Sequence, residues 1–514
     1  MEGAPVRFWF PAPPRPRPLA LLALLAAAFA LASLADAPRS EADPLDLGEE
    51  NSWLRIQNIG RHAANIEVQF FDLDGDLVGA DRCPRRGECE ALAPGSGWSF
   101  FQQGYDPLDV GYRGSAVVAV DQPFVALLAR DVFQDGLFRI GGDALSLAPG
   151  SATHFAPVVQ RTAEYVSRIS VENTSDTLEA CFQIVYYDEG ATRPTAIDPP
   201  GPTEGCPRGG ELVPPRGTLL RDEHSLPVPE GFDGSAVVQG LTTESGVPAQ
   251  DQLPAMMVDT REREGPGLST YRGIDYTEMS RDVVLPVVDR NASEGQTTWT
   301  TRFRIFNSIP PVPNELQLLF AGQNADGDEI EIEHEVTLLS ALTCDQHVDG
   351  IGGCLPEDIA LPDTFFGTVR IRAEYPIAVV AQRLSAGGAL ADYRGFTAAE
   401  AAREIVLPVL NKNFGPWGGY DGWNSWFRVV AFDGSRARVN VLYFSSHFPT
   451  GRLSPGATVH HFRTLRQWED ATLPDGWVGG AVVIADRPII VIANLESDVF
   501  QGDPVMLYNG IAVQ

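Results

Sequence analysis

The sequence predicts an all-β chain: four tandem immunoglobulin-like antiparallel β-sandwich modules, joined into a semi-rigid rod or arc. Two observations carry this. A Gly-small-Val-Val strand returns four times, at Gly114-Ser115-Ala116-Val117-Val118, Gly234-Ser235-Ala236-Val237-Val238, Phe366-Gly367-Thr368-Val369 and Gly479-Gly480-Ala481-Val482-Val483. The interval is about 110–135 residues, the size of one small sandwich and far longer than a solenoid turn. Around each copy the same short strands and turn signals recur, with hardly a helical stretch beyond Thr397–Arg403.

The first residues read as a processing signal. Arg7, Arg15 and Arg17 precede an apolar run from Leu19 to Ala35, and Ser33-Leu34-Ala35 or Ala35-Asp36-Ala37 offers a small-x-small cleavage site. The run is almost long enough to span a bilayer, so an uncleaved anchor is the alternative. No second apolar run follows it, and the expected location is secreted, periplasmic or cell surface. The expected divisions are 1–35 for the signal, then modules at 36–150, 151–280, 281–402 and 403–514.

Each module opens on a strand that alternates in character. In Trp299-Thr300-Thr301-Arg302-Phe303-Arg304-Ile305-Phe306-Asn307, Thr301, Phe303 and Ile305 share one face, and Arg302 and Arg304 the other. Leu54, Ile169 and Phe427 fall in register with Phe303 and should be buried. Arg55 and Arg428 recur with Arg304 on the outer face, where pairing with carboxylates is expected, ligand binding being the alternative.

An aromatic strand then runs into an acidic turn, as in Phe70-Phe71-Asp72-Leu73-Asp74-Gly75-Asp76 and Asn324-Ala325-Asp326-Gly327-Asp328. Asp-Gly between apolar residues is a hairpin signal. After the Gly-small-Val-Val strand comes an acid-x-Pro corner (Asp121-Gln122-Pro123, Glu374-Tyr375-Pro376, Asp486-Arg487-Pro488), then another strand. A Tyr-x-Gly closes the later modules at Tyr271, Tyr393 and Tyr508. Between modules run Ala156-Pro157-Val158-Val159, Leu285-Pro286-Val287-Val288 and Leu407-Pro408-Val409-Leu410. These are too apolar for flexible linkers and suit the first strand of the next sandwich.

Taken together, the Asn-ended strand, the Tyr/Phe-Asp-x-x-Gly turn and the Gly-Ser-Ala-Val-Val strand resemble those of uncharacterised secreted bacterial proteins built of tandem immunoglobulin-like repeats. The resemblance covers the chain after its leader. It implies architecture and export, and those relatives have no agreed activity to carry over.

Composition narrows the function. A formal charge of −30 argues against nucleic acid and anionic membrane surfaces as partners. Six cysteines cluster by module as Cys83 and Cys89, Cys181 and Cys206, Cys344 and Cys354. In an exported chain these read as local disulfides; zinc held by Cys344, His347 and Cys354 is the rival, with irregular spacing and no fourth ligand. No nucleophile elbow, zinc-protease motif, phosphate loop or dinucleotide fingerprint occurs, and the only histidine pair, His460-His461, is expected in a strand.

Two candidate sites remain. Calcium is the cofactor that Asp72, Asp74 and Asp76, or Asn324, Asp326 and Asp328, would take, although the turns are also explained as hairpins. Trp417 and Tyr420 lie on a Gly-rich loop and have no counterparts in the other modules. They suit an extracellular glycan or protein surface, or they fold down over the terminal sandwich. The chain therefore reads as a non-enzymatic secreted or cell-surface protein with a structural, adhesive or ligand-binding role. The alternative is a secreted carbohydrate-active enzyme with a carboxylate pair in an inter-module cleft.

Overall fold

One strand pattern, repeated four times, builds the molecule. The computed structural model describes residues 49–85, 89–102, 105, 107–134, 137–145, 150–241, 252–294, 297–345, 354–355, 361–415 and 422–513. In the third unit, Thr297–Asn307 pairs with Ala341–Asp345 on one side and with the second half of Phe365–Ser385 on the other, and that half pairs with Leu390–Arg394. The facing sheet runs Glu329–Leu338, Asn314–Asn324, the first half of Phe365–Ser385, Ser280–Arg290 and Phe396–Thr397. The second and fourth units repeat this set around Tyr165–Asn173 and Trp423–Ala431. The first repeats it around Glu49–Asn58 except that, among the described residues, it has no counterparts of Ser280–Arg290 and Phe396–Thr397. Leu54, Ile169, Phe303 and Phe427 occupy one register position and are all buried.

The order departs from that of an immunoglobulin constant domain, where the last two strands share a sheet. Here one long strand serves both sheets. Phe365–Ser385 and Trp477–Ser497 run unbroken through Pro376 and Pro488, pairing before the proline in one sheet and after it in the other. Proline has no N–H to offer the first ladder, so the pairing ends there and the chain crosses. One smaller expectation also fails: His460-His461 sits on a bend, while residues 398–400 form a turn between Phe396–Thr397 and Ala402–Lys412.

The modules do not extend into a rod or an arc. The closing strand of the first unit, Leu137–Ala144, touches both Leu268–Arg272 of the second and Val505–Asn509 of the fourth. Leu390–Arg394 of the third touches the same two. The four closing strands thus surround one axis, and the fourth unit returns to the first. Gly502–Asp503 adds a short parallel strand beside Phe138–Arg139, while Leu127, Ala129 and Ile140 of the first unit share a core with Phe427 and Tyr508 of the fourth. A rod would leave Ile140, Leu390, Val505 and Leu507 in water, and closure removes that apolar surface. Gly141 and Gly142 permit the close approach: an added Cβ would meet Thr270 Oγ1 at 2.8 Å or Met506 Sδ at 2.6 Å.

Candidate functional site

The residues that recur in the sequence converge on the joints between units. Pro157, Pro286 and Pro408 lie in strands whose pairing shifts register between Gly234 and Ala236, Leu285 and Val288, and Leu407 and Leu410. At each bulge the residue after the proline keeps its carbonyl free of that ladder. The hydroxyls of Tyr271, Tyr393 and Tyr508 donate to Val158, Val287 and Val409 there, each at 2.5 Å. This is the role of the Tyr-x-Gly motif. Burial pushes all three hydroxyls far above the ordinary tyrosine range.

The recurring arginines reach the same bulges from the following unit. Arg304 donates to Gly234 O at 2.7 Å and to Asp233 at 2.8 Å. Arg428 donates to Pro286 O at 3.3 Å, and Arg55 of the first unit donates to Pro408 O of the fourth at 3.1 Å. Arg304 pairs with a carboxylate as expected, at Asp233, and the backbone carbonyls at the bulges are the partners that all three arginines share. They lie in joints, with Arg304 and Arg428 buried, because the outer face of each opening strand is the inner face of the ring contact.

Carboxylates tie the closing strands together at the axis. Asp143 Oδ2 of the first unit accepts from the Arg272 N–H and from Arg394 Nε, both at 3.0 Å. Asp503 Oδ2 of the fourth accepts from the N–H groups of Leu268 and Leu390, at 2.9 and 2.8 Å. Asp392 Oδ2 of the third accepts from Ser269 Oγ at 2.6 Å. Burial pushes the Asp392 carboxyl up to about 6, against the opposing pull of Ser269 and Gln382. Burial likewise raises Asp503 well above the usual carboxylate range, although two N–H groups favour its anion. The Oδ1 atoms of Asp392 and Asp503 have no hydrogen-bond partner. The strands close tightly around Ile140, Thr270, Leu390 and Val505, so these acids face protein on every side and hold strands together.

The residues singled out in the sequence divide as follows. Asp72 and Asn324 form the same turn twice. Asp72 Oδ1 accepts from the N–H groups of Asp74 and Asp76 at 3.0 and 2.9 Å, and Asn324 Oδ1 from those of Asp326 and Asp328 at 3.0 and 2.9 Å. Gly75 and Gly327 take a φ of 83° at the turn, which glycine adopts without strain. Among the described residues no three His, Cys, Asp or Glu side chains converge as a metal set. Trp417 and Tyr420 lie outside the described residues, as does His347. Cys83–Cys89, Cys181–Cys206 and Cys344–Cys354 are disulfides within their units. No helix among the described residues is long and apolar enough to cross a membrane.

One device was visible as a residue and missed as a role. The asparagine ending the opening strand is a clamp. Asn58 Nδ2 donates to His62 O and Leu92 O at 2.8 and 2.7 Å. Asn173 bonds Leu178 O and Val213 O in the same way, and Asn307 bonds Val312 O and Leu339 O. Ala431 stands in its place in the fourth unit.

No family model matches the chain, and no curated protein gives a significant match. Among solved structures it is similar to a tetra-tandem repeat in the extending region of a large adhesion protein. That match is 11% identical, covers 92% of this chain and 97% of the other, and has a TM-score of 0.09. A second is a structure of infectious bursal disease virus, Gx strain: 10% identity, 89% and 82% coverage, TM-score 0.10. TM-scores this low carry no case about architecture or role.

Proposed function

We propose that the chain is a non-enzymatic extracellular scaffold: four sandwich modules of immunoglobulin-like size, closed in a ring, with a structural, adhesive or ligand-binding role at the cell surface or after secretion. The observation that supports this reading is the use made of the recurring residues. The proline bulges, the closing tyrosines, the joint arginines and the Asn clamps all bond protein to protein. Chemistry on a substrate would instead require polar groups turned toward a cleft. Disulfides within the modules fit an oxidising compartment. Trp417 and Tyr420 remain the residues proposed to meet a glycan or protein.

The test is a binding and turnover panel on purified protein with extracellular polysaccharides and whole cells. Saturable binding without release of reducing sugar is expected, with binding lost in Trp417→Ala/Tyr420→Ala at unchanged melting temperature. Turnover of a polysaccharide that disappears on replacing one carboxylate would overturn the scaffold reading in favour of a glycosidase.

A further inference from the structure

Two Asn-x-Ser/Thr sequences occur in the chain, Asn173-Thr174-Ser175 and Asn291-Ala292-Ser293. In an exported protein this pattern is the acceptor for an N-linked glycan: the amide nitrogen takes the sugar, and the hydroxyl two residues on completes the signal. The fold treats the two copies differently. Asn173 is fully buried, and its Nδ2 donates to Leu178 O, Val213 O and Pro214 O at 2.8, 3.1 and 3.0 Å. A sugar on that nitrogen would take away one of its two hydrogens and break the clamp. Asn291 is exposed in the turn between Ser280–Arg290 and Ala292–Glu294, and Ser293 is exposed beside it. Its Nδ2 donates to Asp363 O at 3.0 Å in a solvent-facing bond. A glycosylated amide keeps one N–H, so this bond survives the modification.

The turn explains the asparagine and leaves the serine over. The fourth unit makes the same turn with Asn413: φ is 47° at Asn291 and 46° at Asn413, a left-handed conformation that asparagine enters more readily than most residues. In each case the backbone N–H is taken by a side chain of the opening strand, Thr300 Oγ1 at 3.2 Å and Asn424 Oδ1 at 2.9 Å. In each case Nδ2 reaches the loop opposite, at Asp363 O and at Asp475 Oδ1. Two residues later stand Ser293 in one and Gly415 in the other. The fold therefore asks for asparagine here and for no hydroxyl after it, and the bonds that fix the turn bypass Ser293.

We propose that Asn291 is an N-glycosylation site and that Asn173 is not, an assignment that rests on the extracellular reading above. The co-reactant is an oligosaccharide carried on a polyprenyl diphosphate, and an oligosaccharide-transferring enzyme of the exporting cell joins the two. A bond forms between Asn291 Nδ2 and the anomeric carbon of the sugar. The bond from that carbon to the diphosphate oxygen breaks, the diphosphate leaves with the electron pair, and the amide gives up one proton. Nothing is oxidised or reduced. Ser293 acts in recognition of the acceptor and is not itself modified.

Peptide mass spectrometry tests this on the full chain, isolated separately from the medium, the envelope and the cytoplasm of the cells that make it. After reduction and trypsin, the peptide of residues 291–302 should carry a glycan mass on Asn291, and the peptide of residues 169–193, which contains Asn173, should not. Asn291→Gln and Ser293→Ala should each abolish the addition, and Ser293→Thr should retain it. Ser293→Ala is the sharper variant, because it leaves the bonds of the turn in place. An unmodified 291–302 peptide from chain recovered outside the cytoplasm overturns the proposal and leaves the extracellular reading standing. Chain recovered from the cytoplasm alone overturns both. A glycan mass that persists on this peptide in Asn291→Gln makes a hydroxyl the acceptor and overturns the assignment to Asn291.

Discussion

Replacing Tyr393 with phenylalanine removes one oxygen and little else. Tyr393 is buried, and its hydroxyl donates to Val287 O at 2.5 Å. Phenylalanine keeps the ring in its packing, so the change reduces to a buried carbonyl that loses its donor, a cost of about 1–3 kcal/mol. What this does to the melting temperature depends on how much protein melts with it. Unfolding entropy is about 2.1 cal/mol/K per residue, so roughly 460 residues melting together give about 1 kcal/mol/K, and a module of about 115 gives about 0.24 kcal/mol/K. A loss of about 2 kcal/mol therefore lowers Tm by about 2 °C if the ring unfolds as one body, and by about 8 °C if the third unit melts alone. Because the closing strands of all four units pack on each other, calorimetry should show a single transition displaced by the smaller amount. Tyr508→Phe should match it, since its hydroxyl makes the same bond, and Tyr271→Phe should cost at least as much, since its hydroxyl also accepts from the Val158 N–H at 3.2 Å. A separate transition moving by about 8 °C, with the remainder unmoved, would refute the closed ring as a cooperative unit. No loss of stability in any of the three would refute the role assigned to the hydroxyl.

The buried Asp392 makes stability depend on pH. Its carboxyl, 3.8 by ordinary standards, is pushed up to about 6 by burial, so the folded chain holds the proton more tightly than the unfolded one. This contribution is complete below about pH 3.8 and declines as pH rises to about 6, by roughly 3 kcal/mol in all; Asp392→Asn should flatten urea midpoints measured across that window. Asp143 and Arg394 are both buried and 3.0 Å apart, and Asp143→Ala should cost about 3–5 kcal/mol in urea denaturation by breaking this buried pair, with Glu400 at 3.3 Å as the carboxylate that Arg394 keeps. Replacing Cys181 and Cys206, separated by 25 residues, with serine should cost about 3.5 kcal/mol on loop entropy, against about 2 kcal/mol for Cys83 and Cys89, separated by 6. Equal costs from denaturant curves would set loop length aside as the cause.

What the sequence made legible was local. Alternation in Thr301, Phe303 and Ile305 announces a buried face within a few residues, and the register carries Leu54, Ile169 and Phe427 to the same place. The Asp-Gly turns are equally local, since the Asp72 side chain bonds to the N–H groups two and four residues further on. The Tyr-x-Gly motif was visible as a repeat, but its partner carbonyl lies about a hundred residues earlier, and no spacing rule connects them. Arg304 shows how a correct face leaves the neighbour unseen: it points away from its own core and pairs with a carboxylate, but Asp233 and the Gly234 carbonyl belong to the unit that covers that side. Closure was least legible of all. It depends on Gly502–Asp503 and Leu137–Ala144, segments outside every repeated phrase, and on an apolar outer face that a single strand does not distinguish from an ordinary core face.

Three of the four joints point one way. The third unit reaches back to the second, the fourth to the third, and the first to the fourth. The third and fourth units therefore each present two unlike surfaces, a donor face and an acceptor face, as subunits do in a heterologous ring. Such a geometry counts its members, because the turn at each joint fixes how many steps return to the start. A chain gaining or losing one unit by duplication or deletion would keep every local contact and still fail to close. It would end with one donor face and one acceptor face unmet, and those ends would join head to tail with other copies. The number of repeats is thus set by an angle, and a change in that number is a route from a discrete particle to a filament.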